Sequence, residues 1–310
     1  MKKAASPLSP PADLAWLAGV QEVLHPIDHL RPVRVTERRV RSASILPVPT
    51  VPFPERHPYC EISIVFQGRG SQFIGSEKIE RVPGSLMLVG PGLPHYATIT
   101  TCPMRVVTAH FLPIVLFEMG PAGDGARLLA RFTSPKKIHE RVINLPVAAR
   151  SRLGACFNRL AAEYTHPQVG TESKLRSILI DILVDLLRWE ITQKRAIHTR
   201  APSSNWVTIE KALRFIYQHY AEPIYVEQIA REAGLGPKAL HGVFHAALGM
   251  SCMQYLRSYR ISHAAALLRL PDARVKEVST AVGFETLSHF NTLFHKFLGT
   301  SPQEYMQRHK

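Results

Sequence analysis

Cysteine is scarce in this chain and poorly spaced for structural work. The four residues Cys60, Cys102, Cys156 and Cys252 form no Cys-x-x-Cys pair, which excludes a zinc ribbon and a disulfide-stapled scaffold and reads as reduced thiols. Long apolar runs are missing too. No stretch reaches the roughly 20 residues of a membrane-spanning helix. Met1-Lys2-Lys3 opens like a leader, but Pro7, Pro10, Pro11 and Asp13 break any apolar segment, and Leu14–Val20 is short. A cytoplasmic protein with no membrane partner is expected. Acidic residues are also in deficit, 24 against 38 Lys+Arg, for a net charge of +14. That excess invites a nucleic-acid partner. Only +4 of it lies in residues 206–310, however, so a basic, solvated surface explains much of the total.

What the chain does contain is a sentence written twice. Phe244-x4-Gly249-x-Ser251-x2-Gln254-Tyr255 returns 50 residues later as Phe294-x4-Gly299-x-Ser301-x2-Glu304-Tyr305. A looser echo precedes each copy, Ile229-Ala230-x3-Gly234-Leu235 and Val278-Ser279-x3-Gly283-Phe284. A repeat announces a repeated structural unit. In the first copy Val226, Ile229, Ala230 and Ala233 share one helical face. Gly234 suits the positive φ that ends a helix, and Pro237 suits the first position of the next. Leu240, Val243, Phe244 and Ala247 then form a second apolar stripe. The spacing predicts a helix-turn-helix in each copy, whose second helix can enter the major groove of DNA. An amphipathic helix over Cys252–Leu268 joins them. A single such pattern would fit any helical hairpin; its duplication points to DNA.

With Ser288-x-Phe290, Lys296-x2-Leu298-Gly299 and Thr300-Ser301-Pro302-x2-Tyr305 added, the C-terminal third resembles the DNA-binding domain of AraC/XylS-type transcription regulators. That resemblance implies seven helices, with reading helices over Pro237–Leu248 and Leu287–Leu298 entering successive major grooves. The exposed candidates for DNA contact are Lys238, His241, His245, Ser288, His289, Asn291, Thr292, His295 and Lys296. Asn can bond adenine with two hydrogen bonds, Ser and Thr serve several bases, and Lys anchors phosphate. The chain departs from the family at Gly242 and Thr292, where relatives commonly carry Arg. Gly242 also weakens its helix by about 1 kcal/mol relative to Ala. Modest monomer affinity and reliance on a homodimer follow.

Residues 31–118 read as strands. Val33-x-Val35, Glu61–Phe66, Ser85–Val89 and Arg105–Val107 are β-branched and apolar, separated by Gly68-Arg69-Gly70, Pro83-Gly84 and Gly90-Pro91-Gly92. This suggests a β-barrel or jelly roll. Pro83-Gly84-x5-Gly90-x-Gly92-x2-His95 looks like the second cupin motif and His57-x3-Glu61-x6-Gly68 resembles a decayed first one. The effector-binding candidates are His57, Tyr59, Glu61, His95 and Tyr96, polar and aromatic groups suited to a hydroxyl-rich ligand such as a carbohydrate. His57, Glu61 and His95 also form a two-His, one-carboxylate set, but Tyr59 stands where the cupin motif offers another His. No metal and no cofactor are therefore expected.

Leu175, Ile178, Leu179, Ile182, Leu183, Leu186 and Leu187 form a continuous helical stripe. It either covers the sheet or makes a dimer seam with Leu153–Tyr164, and the resemblance favours the seam. Residues 191–205 read as a linker. The expectation is an α+β multidomain chain: arm 1–30, cupin-like barrel 31–120, helical dimerisation segment 121–190, linker 191–205, and an all-α double helix-turn-helix domain 206–310. Its function is expected to be sequence-specific, effector-controlled transcription regulation, an activator by the family's pattern, with promoter DNA and RNA polymerase as partners and no catalysis. The alternatives are a metal-dependent cupin enzyme fused to a regulator domain, and a ligand-independent DNA-binding protein.

Overall fold

Two long bent strands organise the N-terminal half. A computed structural model describes residues 21–309 except 23, 29, 43–47, 50–53, 75–76, 120–122, 134–137 and 193–203. The arm before residue 21 and most of the expected linker lie outside the described residues. The strands are β1 (Gln21–Glu22), β2 (Val33–Val40), β3 (Val48–Pro49), β4 (Glu55–Arg56), β5 (Cys60–Ile74), β6 (Glu77–Arg81), β7 (Ser85–Val89), β8 (Tyr96–Phe111) and, after three helices, β9 (Val142–Asn144). Seven of them form one antiparallel sheet in the order β2-β8-β5-β7-β9, with β3 also on β8 and β6 on β5; β1 and β4 pair separately and in parallel. β2 and β9, at the ends of that path, do not pair among the described residues, so closure into a barrel is not seen there.

The glycines at 68 and 70 bend a strand instead of ending one. β5 runs through Gly68-Arg69-Gly70 with three register shifts against β8 between Val65 and Gly70, the extra residues sharpening the bend as β-bulges do. Gly68 has φ +81°, and a Cβ there would sit 2.6 Å from the Pro103 carbonyl. Period-two alternation then divides β5 between two environments. Cys60, Ile62 and Ile64 join the main apolar core with Leu86, Leu88, Val107 and Phe111. Glu61 faces the other way and lines a cavity. The register sets Glu61 directly opposite His110 of β8.

The helices of this half are α1 (Ile114–Phe117), α2 (Asp124–Thr133), α3 (Ile138–Arg141), α4 (Val147–Thr165) and α5 (Thr171–Thr192). Every leucine and isoleucine of the α5 stripe, from Leu175 to Leu187, is buried within this one chain, in the same core as Leu153, Phe157 and Leu160 of α4 and Val33 and Val35 of β2. Of the two uses expected for this helix, covering the sheet is the one seen within the chain. Its apolar face covers the sheet and leaves nothing of that stripe for a second copy.

Seven helices follow: α6 (Ser204–His219), α7 (Val226–Glu232), α8 (Pro237–Leu248), α9 (Cys252–Leu267), α10 (Val275–Ala281), α11 (Leu287–Leu298) and α12 (Pro302–His309). The repeated words are caps. Gly249 and Gly299 end α8 and α11 in the left-handed region, at φ +67° and +68°. Ser251 then accepts from the Gln254 N–H while the Gln254 amide oxygen accepts from the Ser251 N–H. Ser301 and Glu304 do the same at 3.2 and 3.0 Å. Each Gly-x-Ser-x2-Gln/Glu is therefore one helix stop and one capping box in sequence. No helix among the described residues is long and apolar enough to cross a membrane.

Candidate effector pocket and nucleic-acid interface

In the C-terminal domain the apolar stripes turn inward and the polar faces turn out. Leu240, Phe244 and Leu248 are buried on α8, and Phe290, Phe294 and Phe297 on α11. All nine candidate DNA contacts, Lys238, His241, His245, Ser288, His289, Asn291, Thr292, His295 and Lys296, are exposed. The Thr292 hydroxyl donates to the Ser288 carbonyl at 3.0 Å, which leaves its oxygen as an acceptor. A Cβ at Gly242 would meet nothing within 4 Å, so that position is an open gap in the reading face.

The N-terminal domain holds a cavity of about 490 Å³. Of the five effector candidates, Glu61 and His95 line it. It is also lined by His25, Glu55, Arg81 and His110, which the sequence reading missed. His57 lies directly behind Glu61, at 3.2 Å from its Nε2 to Glu61 Oε2. Tyr96 packs beside Phe73. Three imidazoles crowd one carboxylate oxygen: the Nε2 atoms of His57, His95 and His110 stand 3.2, 3.4 and 3.5 Å from Glu61 Oε2. Burial alone would raise the Glu61 carboxyl, but the three imidazoles of His110, His57 and His95 around it outweigh burial and hold the group well below its ordinary pKa. Burial pushes His57 down. Burial would lower His95, but its contact with Glu61 and the charges of Glu61 and Glu55 outweigh that and raise it. Burial lowers Arg81 to about 10. Among the described residues its guanidinium donates to Ser63, through the hydroxyl and the carbonyl oxygen.

Tyr59 faces away from the cavity and towards the other domain. Its ring stacks with both His25 and His57. Its hydroxyl accepts from the His25 N–H and lies 3.1 Å from Ser262 Oγ on α9, the helix joining the two reading units. Beside it, His263 Nε2 is 3.8 Å from Asp28 Oδ2. Gly92, in the loop before His95, backs onto the end of α8: a Cβ there would sit 2.6 Å from the Leu248 carbonyl. Trp206 packs edge-on against Phe117 with ring centroids 4.7 Å apart.

A bent sheet with a polar-lined cavity is packed against two capped helix-turn-helix units. Residues 229–308 match the family described as "Helix-turn-helix domain". The chain is 25% identical over 266 residues to the melibiose operon regulatory protein of Escherichia coli K12, covering 82% of this chain and 83% of that one. It is 22% identical to the transcriptional activator RhaR of Klebsiella pneumoniae, covering 81% and 86%. In three dimensions it is similar to ToxT of Vibrio cholerae, with a TM-score of 0.55 at 12% identity over 89% of this chain and 98% of that one. A ToxT structure with unsaturated fatty acid bound gives a TM-score of 0.54 at 13% identity over 89% and 95%. Residues 229–308 thus form a helix-turn-helix domain, and over most of its length the chain is similar to transcription regulators.

Proposed function

We propose that this regulator binds promoter DNA through α8 and α11 and that a small molecule in the sensor cavity sets its affinity. The observation that carries this is the contact path from the cavity wall to the reader: Glu61 Oε2 beside His57 Nε2, His57 stacked on Tyr59, and the Tyr59 hydroxyl at Ser262 Oγ. A ligand touching Glu61 or His95 acts at one end of that path, and α9 lies at the other. Control requires only that the ligand bind the packed and rearranged forms unequally.

Lys238 and Lys296 are assigned to phosphates and Asn291 to a base edge; neither lysine nor the Asn291 side chain is committed to a hydrogen bond or ion pair among the described residues. A carbohydrate is the proposed effector class. The melibiose operon relative supports it by name, and the polar lining of Glu61, Arg81, Gln72, Ser71 and Thr98 suits hydroxyl groups. Activation, contact with RNA polymerase, a homodimer built on faces other than the α5 stripe, a cytoplasmic setting and the absence of catalysis complete the reading. The test is binding of the purified protein to the DNA upstream of its own coding region, titrated with salt and a panel of sugars. Specific binding shifted by one sugar is the expected result. Specific binding indifferent to every sugar removes the carbohydrate assignment, and binding equal on random DNA removes the regulator reading.

A further inference from the structure

The three imidazoles around Glu61 cannot all be satisfied by Glu61. His57 Nδ1 lies 3.2 Å from the Tyr59 carbonyl and His95 Nδ1 lies 3.0 Å from the Leu93 carbonyl. A carbonyl oxygen only accepts, so each of these Nδ1 atoms carries the proton. In a neutral ring the opposite Nε2 is then a bare lone pair, and both of them point at a carboxylate oxygen, another acceptor. Protonating both would place two imidazolium cations side by side, with ring centroids 5.0 Å apart, in a buried site. His110 brings a third Nε2 to the same oxygen, which has two lone pairs to offer. His110 Nδ1 has no hydrogen-bond partner among the described residues.

One cation between His57, His110 and Glu61 removes the conflict among those three. Ligands about 2.1 Å from a tetrahedral ion stand roughly 3.4 Å from one another, and the Nε2 atoms of His57 and His110 stand 3.2 and 3.5 Å from Glu61 Oε2. The ligand atoms of His57, Glu61 and His110 all lie within 4.8 Å of one another. The carbonyls on Nδ1 of His57 and His95 fix the tautomer and ring orientation, as supporting groups do around metal-bound histidines. We propose that His57, Glu61 and His110 bind a divalent transition-metal ion, with His95 beside it and an open coordination position facing the cavity. Imidazole with carboxylate suits zinc or iron(II) and disfavours the hard all-oxygen ions. This departs from the expectation of no cofactor. The third imidazole comes from the far end of β8, outside both cupin-like motifs. The proposal concerns the sensor alone and does not rest on the DNA-binding reading.

The experiment uses full-length, chelator-treated protein titrated with Co(II), followed by visible absorption, with bound zinc measured by elemental analysis. One equivalent of Co(II) per chain, with bands of low-coordinate cobalt, is expected. Loss of a supporting group around a metal typically costs about 10–100-fold in affinity, so His110→Ala or Glu61→Gln should weaken binding by at least roughly that factor. His241 and His245 make an exposed pair on α8 with ring centroids 6.0 Å apart, a second place for cobalt to settle. The double variant His241→Ala/His245→Ala must therefore keep the equivalent. If it loses the ion while His110→Ala retains it, the buried site is refuted. A wild-type chain that holds neither Co(II) nor zinc at one equivalent refutes it as well. Circular dichroism checks the fold of each variant. Should His110→Ala not fold, the wild-type stoichiometry and the better-filled His110→Gln decide.

Discussion

Removing one oxygen atom, by Tyr59→Phe, tests the path between sensor and reader. The ring stays, with its stacking on His25 and His57. The hydroxyl is lost as acceptor for the His25 N–H and as partner of Ser262 Oγ. A hydrogen bond contributes about 0.5–1.5 kcal/mol net, and each buried group left unpaired costs roughly 1–3 kcal/mol. Two groups are affected here, so a total loss of about 2 kcal/mol in chemical denaturation is expected. About 1 kcal/mol of that lies across the domain seam. A double-mutant cycle with Ser262→Ala isolates that share, because contacting residues typically show coupling energies of roughly 0.5–3 kcal/mol. About 1 kcal/mol is close to a fivefold change in an equilibrium constant. DNA affinity without ligand should then move by up to about that factor if the packed arrangement opposes DNA binding. Additive effects of the two substitutions within about 0.3 kcal/mol would show that the hydroxyls do not couple, and the proposed path would lose its last link.

Four further outcomes are expected. Lys238→Ala and Lys296→Ala should weaken binding on every DNA sequence and reduce the salt slope by about 1 each, measured by retardation across salt concentrations. Asn291→Ala should instead change base preference, by about 1–3 kcal/mol at one position of the site; equal loss on specific and random DNA would refute base reading there. Ser251→Ala and Ser301→Ala each remove half of a capping box and should cost about 0.5–2 kcal/mol in thermal or chemical unfolding. Leu183→Ala, in the middle of the buried α5 stripe, should destabilise the chain by about 2–5 kcal/mol. It should leave any dimer dissociation constant unchanged in analytical ultracentrifugation, since that face is spent within the chain.

The C-terminal domain was legible because its rules are local. Gly249, Ser251 and Gln254 lie within six residues and state a helix stop and a helix start by themselves. The reading helices begin and end where the family resemblance put them, at Pro237–Leu248 and Leu287–Leu298. What those repeated residues do, however, is cap; the pattern was visible before its chemistry was. The sensor was half legible. Ser85–Val89 appears as a strand with the bounds its composition suggested, while Gly68 and Gly70 looked like a turn because glycine marks bends and breaks alike. Two features needed the third dimension. The pairing of Glu61 with His110 spans 49 residues, and nothing near His110 in the sequence marks it as a partner. The α5 stripe was periodic enough to name its buried face, but periodicity does not say which surface buries it.

The two reading helices end in caps with the same backbone angles and different neighbours. A Cβ on Gly299 would meet nothing within 4 Å, whereas one on Gly249 would press on Pro91 and Gly92 of the sensor loop. The duplicated halves are therefore unequal as receivers. Whatever moves the loop before His95 reaches the end of α8 through that loop contact, and the corresponding cap of α11 has no such contact. A promoter read by both helices would feel the signal at the groove held by α8 first, so spacing changes between its two half-sites should alter the size of the response as well as the strength of binding.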